Sequence, residues 1–315
     1  MKRLLLCGSI LIILFLCIPL SIFFLFKPQK PIEQEKDVSW LPPQHITVTL
    51  PESHQTIESD IETCVMAWLS TVSSEITSLD ALKAHVVAAR SYLLDCIYRN
   101  QQSSLRHHEA MLCDDNRHCI TLRFDNPASP LLQQALTETQ GEYLCYNNLP
   151  ARCFFFSVSA GKTESAIDVW GVDLPYLVSV ESPDDFRSAK YQSKVTYPLE
   201  AFELVLKSEN PDLKSKNASF SGEVFKSESG HVKFMNFYGK CFTGERLQEL
   251  FHLNSTNFTV TLKNSKVIFD VKGSGHGVGM SLFGAEEMAK TKKNYLEILS
   301  HYYPGTSLKA IHHID

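Results

Sequence analysis

Glu75 is a candidate general acid because of where it lies in the chain. It connects an apolar segment at 61–72 to a second apolar segment that begins after Leu79. Burial at the entrance to such a segment would favour the neutral carboxyl, which can donate a proton to a leaving group. The alternative is that Glu75 caps or solvates the turn, as most glutamates in such places do. Position alone favours this alternative.

Histidine and cysteine are concentrated between residues 107 and 119, which is typical of a zinc loop. A Cys2His2 ligand set would consist of His107 (or His108), Cys113, His118 and Cys119. Because four protein ligands leave no open coordination position, such a zinc ion would be structural. A disulfide between Cys113 and Cys119 is the alternative, and it is chemically natural outside the cytoplasm. The spacing alone does not decide between the two.

Two further segments carry polar groups that suit a ligand. The first, at 157–164, is a turn of small and hydroxyl residues, which either line a cleft or satisfy the backbone of the turn. Ser159 within it lacks the G-x-S-x-G elbow of a serine nucleophile. The second, at 273–280, contains four glycines that permit close backbone approach. His276 among them would donate to a sugar hydroxyl or hydrogen-bond the backbone.

The composition is that of a folded globular protein. Hydrophobic residues make up 44% of the 315 residues, and 30 Lys+Arg against 35 Asp+Glu give a net charge of −5. This excludes a disordered chain, a fibrous repeat and a multi-span membrane protein. Because no basic excess is present to neutralise a phosphate backbone, nucleic-acid binding is not expected.

The first 30 residues predict a membrane anchor. Leu4 to Phe26 form a charge-free run of 23 residues, which as a helix is about 35 Å long and can cross a bilayer. No small-residue cleavage triplet follows, so an uncleaved signal anchor is favoured over a cleaved signal peptide. Lys2 and Arg3 favour a cytoplasmic N-terminus, which would place the remaining chain outside the cytoplasm. Residues 31–45, rich in proline and charge, predict a tether.

The elements that must position these residues follow an α+β pattern. The apolar surface after Leu79 is too broad for a solvent-exposed helix and predicts a buried one. Residues 142–146 and 151–158 predict two strands joined by a turn at Asn147-Asn148. The polar segments would thus be held by a helix and by strands.

A smaller β-rich domain is predicted within the larger one. Residues 196–265 contain short strand patterns around a helix near 244–251, and another helix is predicted at 282–290. We therefore expect a larger α+β domain formed by 46–195 and 266–315, with the β-rich domain at 196–265 inserted into it.

Three blocks of sequence carry a resemblance to a known family. They are Glu75 with Ala81–Tyr92, then Phe155–Glu164 followed by Asp168-Val169-Trp170, and then Gly275–Ala285 continuing to Thr306. In the content and order of these blocks the sequence resembles the SpoIID/LytB family of peptidoglycan-processing proteins. The sequence differs from the family pattern in a shortened stretch between Glu75 and Ala81, and in His85, Ala160 and Leu282-Phe283.

The resemblance implies a SpoIID-like lytic transglycosylase that cleaves peptidoglycan glycan strands, preferably strands already stripped of stem peptides by an amidase. A hydrolase generally needs two carboxylates, whereas one glutamate can protonate the glycosidic oxygen and then accept the proton of the sugar's own 6-hydroxyl. Glu75 occupies what looks like the catalytic position of the family. The spacing of His107, Cys113, His118 and Cys119 looks like the zinc loop of some members, which favours zinc over the disulfide.

The resemblance also implies the surroundings of the site. Expected substrate contacts come from the three blocks: Lys83, Arg90, Tyr92, Ser157, Ser159, Thr163, His276 and Ser281. Together with the anchor, it implies a single-pass protein of the bacterial cytoplasmic membrane with its catalytic part outside the cytoplasm. An amidase and septal or division proteins are the expected partners.

Two other functions stay open. The resemblance also permits an amidase enhancer or scaffold that binds glycan without catalysis. A hydrolase that combines Glu75 with Asp80 or Glu164 would instead release reducing ends that are not anhydro sugars.

Overall fold

The computed structural model describes residues 40–50, 55–72, 75–102, 110–114, 120–214 and 219–311. The predicted anchor at 1–30 lies outside these ranges, as does most of the tether. Within them, no helix has both the length and the apolarity that a bilayer span requires.

The described residues form a mixed α and β structure, as the sequence predicts. The helices are α1 (Ile61–Val72), α2 (Leu79–Gln102), α3 (Pro130–Glu138), α4 (Ala166–Trp170), α5 (Leu199–Glu209), α6 (Gly244–Leu250), α7 (Leu282–Lys290) and α8 (Tyr295–Tyr302), with a 3-10 helix at Pro183–Arg187. The strands of the first half are β1 (Ile46–Leu50), β2 (Gln55–Ser59), β3 (Leu112–Cys113), β4 (Glu142–Tyr146), β5 (Leu149–Pro150) and β6 (Phe155–Phe156).

The second half contributes eight further strands. They are β7 (Gln192–Pro198), β8 (Ser221–Lys226), β9 (Val232–Phe237), β10 (Lys240–Thr243), β11 (Phe258–Lys263), β12 (Lys266–Lys272), β13 (Met280–Ser281) and β14 (Ser307–Ala310). In the described ranges these strands pair into small sheets of two or three strands, with the orders β2-β1-β3, β14-β4-β5, β13-β6, β11-β12-β7 and β10-β9-β8.

The helix predicted after Leu79 is α2, and it is buried as expected. Its alanines and branched aliphatic residues, from Ala81 to Ile97, have almost no exposed surface. The small alanine side chains let helices α1, α3, α7 and α8 pack closely around it. Asp80 in its first turn accepts a hydrogen bond from the backbone nitrogen of Tyr295, at 3.1 Å. The start of α2 is therefore tied to the start of α8.

A buried arginine joins α1, α2 and β4. Arg90 has no exposed surface, and its guanidinium donates to both carboxylate oxygens of Glu62 at 2.9 and 2.6 Å. It also donates to the carbonyl oxygen of Glu142 at 2.7 Å. Because a buried guanidinium is costly unless its donors are satisfied, these bonds fix how the three elements pack.

The strand predicted at 142–146 and the turn at Asn147-Asn148 are present, but the strand predicted at 151–158 is wrong over most of its length. Asn147 and Asn148 form the turn with positive φ angles of 50° and 63°, the conformation that suits asparagine in a two-residue hairpin. β4 pairs instead with β5, and the backbone nitrogen of Ala151 after it donates to the carbonyl oxygen of Leu144 at 2.9 Å. The run of phenylalanines then forms β6, which pairs in parallel with β13.

The segment from β7 to β12 has its own hydrophobic core. Its aromatic members pack closely, with Phe202 stacked on Phe251 at 4.8 Å between ring centres. β12 pairs with both β7 and β11, so the two ends of this segment lie side by side. The domain boundaries at residues 196 and 265 stay predictions.

Glycine is required where the segment at 273–280 passes β6. A Cβ atom on Gly279 (φ 82°) would lie 2.0 Å from the carbonyl oxygen of Phe154, and one on Gly273 (φ 77°) would lie 2.9 Å from that of Val158. No side chain fits such distances. The glycines therefore allow β13 to reach β6 and bring the second and third sequence blocks together.

Candidate functional site

A cavity of about 560 Å³ lies where the three sequence blocks meet. Its walls come from the end of α1 and the following turn, from β6 and the residues after it, from the segment after the 3-10 helix, and from α7. The lining residues are Thr71, Val72, Glu75, Ile76, Thr77, Phe155, Phe156, Ser157, Val158, Ser188, Lys190, Leu282, Phe283, Glu286 and Lys290. We call this space the Glu75 cavity.

Glu75 is exposed, which is the alternative that its position alone favours, and not buried. Its side chain is 71% exposed, and both carboxylate oxygens accept hydrogen bonds from the ammonium of Lys190, at 2.7 and 2.8 Å. The turn between α1 and α2 lies at the mouth of the cavity, so its side chain extends towards solvent and Lys190. Sequence reasoning missed Lys190, because nothing in its local sequence indicates that it meets a residue 115 positions away.

Glu286 on α7 holds the turn that carries Glu75. Its carboxylate accepts from the backbone nitrogens of Thr77 and Ser78, at 3.3 and 3.0 Å, and from both of their hydroxyls. Burial alone would raise the pKa of Glu286, but these hydrogen bonds outweigh it and lower the pKa below its usual value. Glu286 thus caps the start of α2 from another helix and leaves Glu75 as the exposed carboxylate of the cavity.

Aromatic rings cover the apolar side of the Glu75 cavity. Phe155 lies on the rings of Trp68 and His85, with ring centres 5.0 and 4.3 Å apart. His85 is fully buried, and both of its ring nitrogens lack hydrogen-bond partners in the described chain. Burial lowers the pKa of His85 to about 3, so the ring is neutral. The floor is therefore apolar although a histidine supports it.

Ser159 and Ser281, two expected substrate contacts, meet at Asp185. This carboxylate is fully buried, and it accepts from the hydroxyls of both serines and from the backbone nitrogen of Ser159 at 3.2 Å. Burial raises the pKa of Asp185. The bonds join the turn at 157–164, the 3-10 helix and the start of α7, which together form the wall that carries Lys190.

Ser157 lines the Glu75 cavity, but the other expected contacts lie elsewhere. Thr163 is fully buried and accepts from the backbone nitrogen of Val180 at 2.9 Å. Lys83 pairs with Glu138 on α3. Arg90 is the buried residue that joins α1, α2 and β4. Tyr92 packs against Trp68 and Phe154, with ring centres 5.4 and 5.3 Å apart.

His276 makes the backbone contact that the sequence left open. Its Nδ1 accepts from the backbone nitrogen of Val278 at 3.1 Å, and its ring lies among Phe154, Phe156 and Trp170. Burial lowers the pKa of His276 to about 4. It lines a second cavity and lies between that cavity and Phe156, which lines the first.

The predicted zinc loop lies largely outside the described residues. His107, His118 and Cys119 belong to the ranges that are not described, whereas Cys113 is buried at the end of β3. Asp114 bridges to Ile120, so the two ends of the intervening segment meet. The described residues contain no group of three potential metal ligands. Zinc and the alternative disulfide both stay predictions.

Comparison with known proteins agrees with the resemblance. The family model "Stage II sporulation protein" (SpoIID) matches residues 53–146, a range that includes Glu75. Stage II sporulation protein D of Bacillus subtilis (strain 168) is 30% identical over 336 residues, covering 98% of this chain and 96% of the relative.

Two more relatives extend this match. Stage II sporulation protein D of Bacillus amyloliquefaciens is 31% identical over 241 residues, covering 73% of this chain and 68% of the relative. An amidase enhancer of Bacillus subtilis (strain 168) is 26% identical and covers 74% of this chain, although the match spans 38% of the enhancer. The chain belongs to the SpoIID/LytB family of cell-wall related proteins.

Proposed function

We propose that this protein is a lytic transglycosylase that cleaves the glycan strands of peptidoglycan with Glu75 as its single catalytic carboxyl group. The observation that carries the proposal is the position of Glu75 at the mouth of a cavity of about 560 Å³, accessible to a polymer from solvent. Family membership supports a cell-wall substrate. A preference for peptide-stripped strands is part of the proposal and follows the family resemblance.

The carboxylates around Glu75 support a one-carboxylate mechanism over hydrolysis. Hydrolysis would require a second carboxylate as nucleophile or as a base for water. Glu286 lines the same cavity, but its oxygens are occupied by Thr77 and Ser78. Asp80 accepts from the backbone of Tyr295, and Glu164 lines the second cavity. Neither partner of the alternative hydrolase therefore faces Glu75 across its cavity.

The proposed reaction consumes no water. Protonated Glu75 donates its proton to the glycosidic oxygen as the bond from that oxygen to C1 breaks. The resulting carboxylate accepts the proton of the 6-hydroxyl of the same muramic acid while that oxygen attacks C1. The products are a 1,6-anhydro-muramic end on one fragment and a free 4-hydroxyl on the adjacent sugar, which ends the other fragment, and Glu75 is again protonated.

Lys190 must leave Glu75 for this reaction to begin. The ammonium of Lys190 contacts both carboxylate oxygens and so occupies the position that a glycosidic oxygen would take. The two side chains are 71% and 49% exposed, so their pairing contributes about 0–1 kcal/mol and is easily exchanged for contacts with a substrate. We therefore place the separation of Glu75 from Lys190 at the binding step.

The remaining parts of the proposal concern surroundings that lie outside the described residues. Residues 1–30 would hold the protein in the cytoplasmic membrane with the Glu75 cavity outside the cytoplasm. Cys113 with His107, His118 and Cys119 would bind a structural zinc ion that supports the loop. An amidase would supply the peptide-stripped strands.

The test is mass spectrometry of peptide-free glycan strands incubated with the full-length chain, its Glu75→Gln variant and a matched control. Glu181→Gln is that control, because Glu181 is also an exposed glutamate paired with a lysine, Lys162, at 2.7 Å. We expect anhydro-terminated fragments from the wild type and from Glu181→Gln, and none from Glu75→Gln. Hydrated reducing ends, or cleavage by Glu75→Gln at a rate close to that of the wild type, would contradict the proposal.

A second candidate is a glycan-binding amidase enhancer without catalysis of its own. The exposed ion pair of Glu75 with Lys190 and the similarity to an amidase enhancer favour it. It predicts that the wild-type protein cleaves no strand, yet accelerates an amidase acting on whole peptidoglycan. It also predicts that Glu75→Gln accelerates the amidase equally well.

A further inference from the structure

A second cavity, of about 350 Å³, lies between α4 and the first strands of the β-rich segment. It shares no lining residue with the Glu75 cavity. Its inner end is formed by Glu164 and His231, and its outer part by residues of α4, β9 and α6. We call it the Glu164 cavity.

A buried polar atom at the inner end lacks a partner. His231 is 5% exposed, and its Nε2 makes no hydrogen bond within the described chain. Its Nδ1 lies 2.8 Å from the hydroxyl of Thr256. When that hydroxyl donates to Nδ1, the neutral ring carries its proton on Nε2. A buried donor without a partner destabilises the folded protein, so Nε2 marks a place where an acceptor belongs.

Glu164 faces this nitrogen. It is 2% exposed, and its Oε1 lies 3.8 Å from Nε2 of His231, too far for a hydrogen bond. The hydroxyl of Ser227 donates to the same oxygen at 2.8 Å. A ligand hydroxyl placed between the two side chains would accept from Nε2 and donate to the carboxyl group. Sugar hydroxyls have this pair of functions.

The charges around the cavity favour an uncharged ligand. Burial raises the pKa of Glu164 to about 7, with the hydrogen bond from Ser227 opposing the shift and Asp168 adding to it. Burial, with a smaller contribution from Lys226, lowers the pKa of His231 to about 4. Asp168 at the rim is neutralised by its ion pair with Lys233. The cavity therefore offers no net positive site for a phosphate or a carboxylate.

The outer wall has the apolar surface that a sugar ring needs. Ile167 and Phe234 line the cavity and are 58% and 46% exposed. Exposed apolar side chains beside a polar cavity are typical of ligand sites. The C–H face of a pyranose packs on such side chains while its hydroxyl edge reaches polar groups.

We propose that the Glu164 cavity is a second saccharide-binding site, which takes an uncharged sugar unit of a glycan with a ring hydroxyl between Glu164 and His231. The site itself is argued from these contacts. Identifying its ligand with the peptidoglycan strand rests on the proposed function. A strand bound at both sites would be held at a second point, the Glu164 cavity, in addition to the Glu75 cavity where it is cleaved.

The test uses the neutral tetramer of N-acetylglucosamine as the probe. The full-length chain, in a detergent without a sugar headgroup and with labelled histidine rings, is titrated and observed by NMR. The signal of His231 is assigned with His231→Gln. We expect the His231 ring signals of the wild type and of Glu75→Gln to shift on addition of the probe. We also expect His231→Gln and Glu164→Gln to bind it about fivefold or more weakly, the effect of one lost hydrogen bond.

Direct observation of the His231 ring keeps the test independent of whether the variants fold. An unchanged His231 signal at millimolar concentrations of the probe would overturn the proposal. This is also the result expected if the cavity holds water alone. Binding weakened by Glu75→Gln and not by Glu164→Gln would overturn it as well. Cleavage of strands is measured separately. The second site therefore fails if cleavage occurs without a His231 shift, and the proposed reaction fails if the shift occurs without cleavage.

Discussion

The two cavities each contain a glutamate, and the two glutamates lie in opposite environments. Glu75 is 71% exposed and bound to Lys190, whereas Glu164 is 2% exposed and faces a neutral histidine. Burial raises the pKa of Glu164 to about 7. A carboxyl that must reach a glycosidic bond of a long glycan has to lie at a surface, as Glu75 does.

The largest effect that tests this comparison is on catalysis. Glu75→Gln should lower the rate of formation of anhydro ends by about 10²–10⁴-fold, the usual contribution of a general acid. Glu164→Gln should lower it several-fold at most, through weaker strand binding. Initial rates measured by mass spectrometry at several strand concentrations check this. A larger loss in Glu164→Gln would place the chemistry in the second cavity.

The next largest effect is the contribution of Glu164 to the pH dependence of the free energy of unfolding. Its pKa is about 7 in the folded protein and 4.5 as the ordinary value. The neutral carboxyl of Glu164 makes its full contribution to the free energy of unfolding below pH 4.5, and this contribution is lost as the pH rises through 7. The loss amounts to about 3 kcal/mol by pH 8.5. The glutamine in Glu164→Gln cannot ionise. Urea unfolding should therefore show that the free energy of unfolding of the variant, relative to the wild type, rises by that amount between pH 5 and 8.5. Equal pH dependence in both proteins would contradict the buried environment.

A smaller catalytic effect is expected at the positioning residue Glu286. In Glu286→Gln an NH2 group faces the donors of Thr77 and Ser78, so the turn that carries Glu75 loosens. We expect kcat to fall about 10–100-fold with little change in KM, since misplacing a catalytic group by about 1 Å costs that much. Glu287→Gln on the same helix is the control, and its kcat should stay within about threefold. A rise in KM with kcat unchanged would indicate a binding role instead.

His85, beneath the floor of the Glu75 cavity, should make the free energy of unfolding depend on pH by about 2 kcal/mol between pH 7 and pH 5. Its folded-state pKa of about 3 lies below the ordinary value of 6.5. The stability from the neutral ring is therefore present above pH 6.5 and decreases as the pH falls towards 3. Unfolding of His85→Leu and of the wild type is compared at pH 7 and pH 5. The free energy of unfolding of the variant, relative to the wild type, should be about 2 kcal/mol higher at pH 5 than at pH 7.

The smallest effect concerns the exposed ion pair. Lys190→Gln should change the free energy of unfolding by less than about 1 kcal/mol, because solvent screens the pair. Lys293→Gln is a matched control, since Lys293 is an exposed lysine paired with Glu297 at 2.8 Å. Thermal unfolding of both variants at low and high salt checks this. A loss of several kcal/mol would mean that Lys190 supports the fold.

Local patterns were enough to predict several elements of the fold. The apolar surface after Leu79 predicted the buried helix α2, because helical periodicity is written into neighbouring residues. Asn147-Asn148 predicted the hairpin turn, because asparagine tolerates positive φ. The strand predicted at 151–158 was misplaced, since β4 pairs with β5 and the phenylalanines pair with the distant strand β13.

The candidate site shows where such reasoning stops. The sequence by itself determined the element types, the order of the three blocks and Glu75 as the candidate acid, since these depend on residue type and spacing. The tertiary structure alone decided that Glu75 is exposed and meets Lys190, and that Glu286 holds its turn from 209 residues away. It also decided that Glu164 and His231 share a cavity. Burial and pairing depend on which distant segments pack together, and that choice comes from the whole core, not from any local pattern.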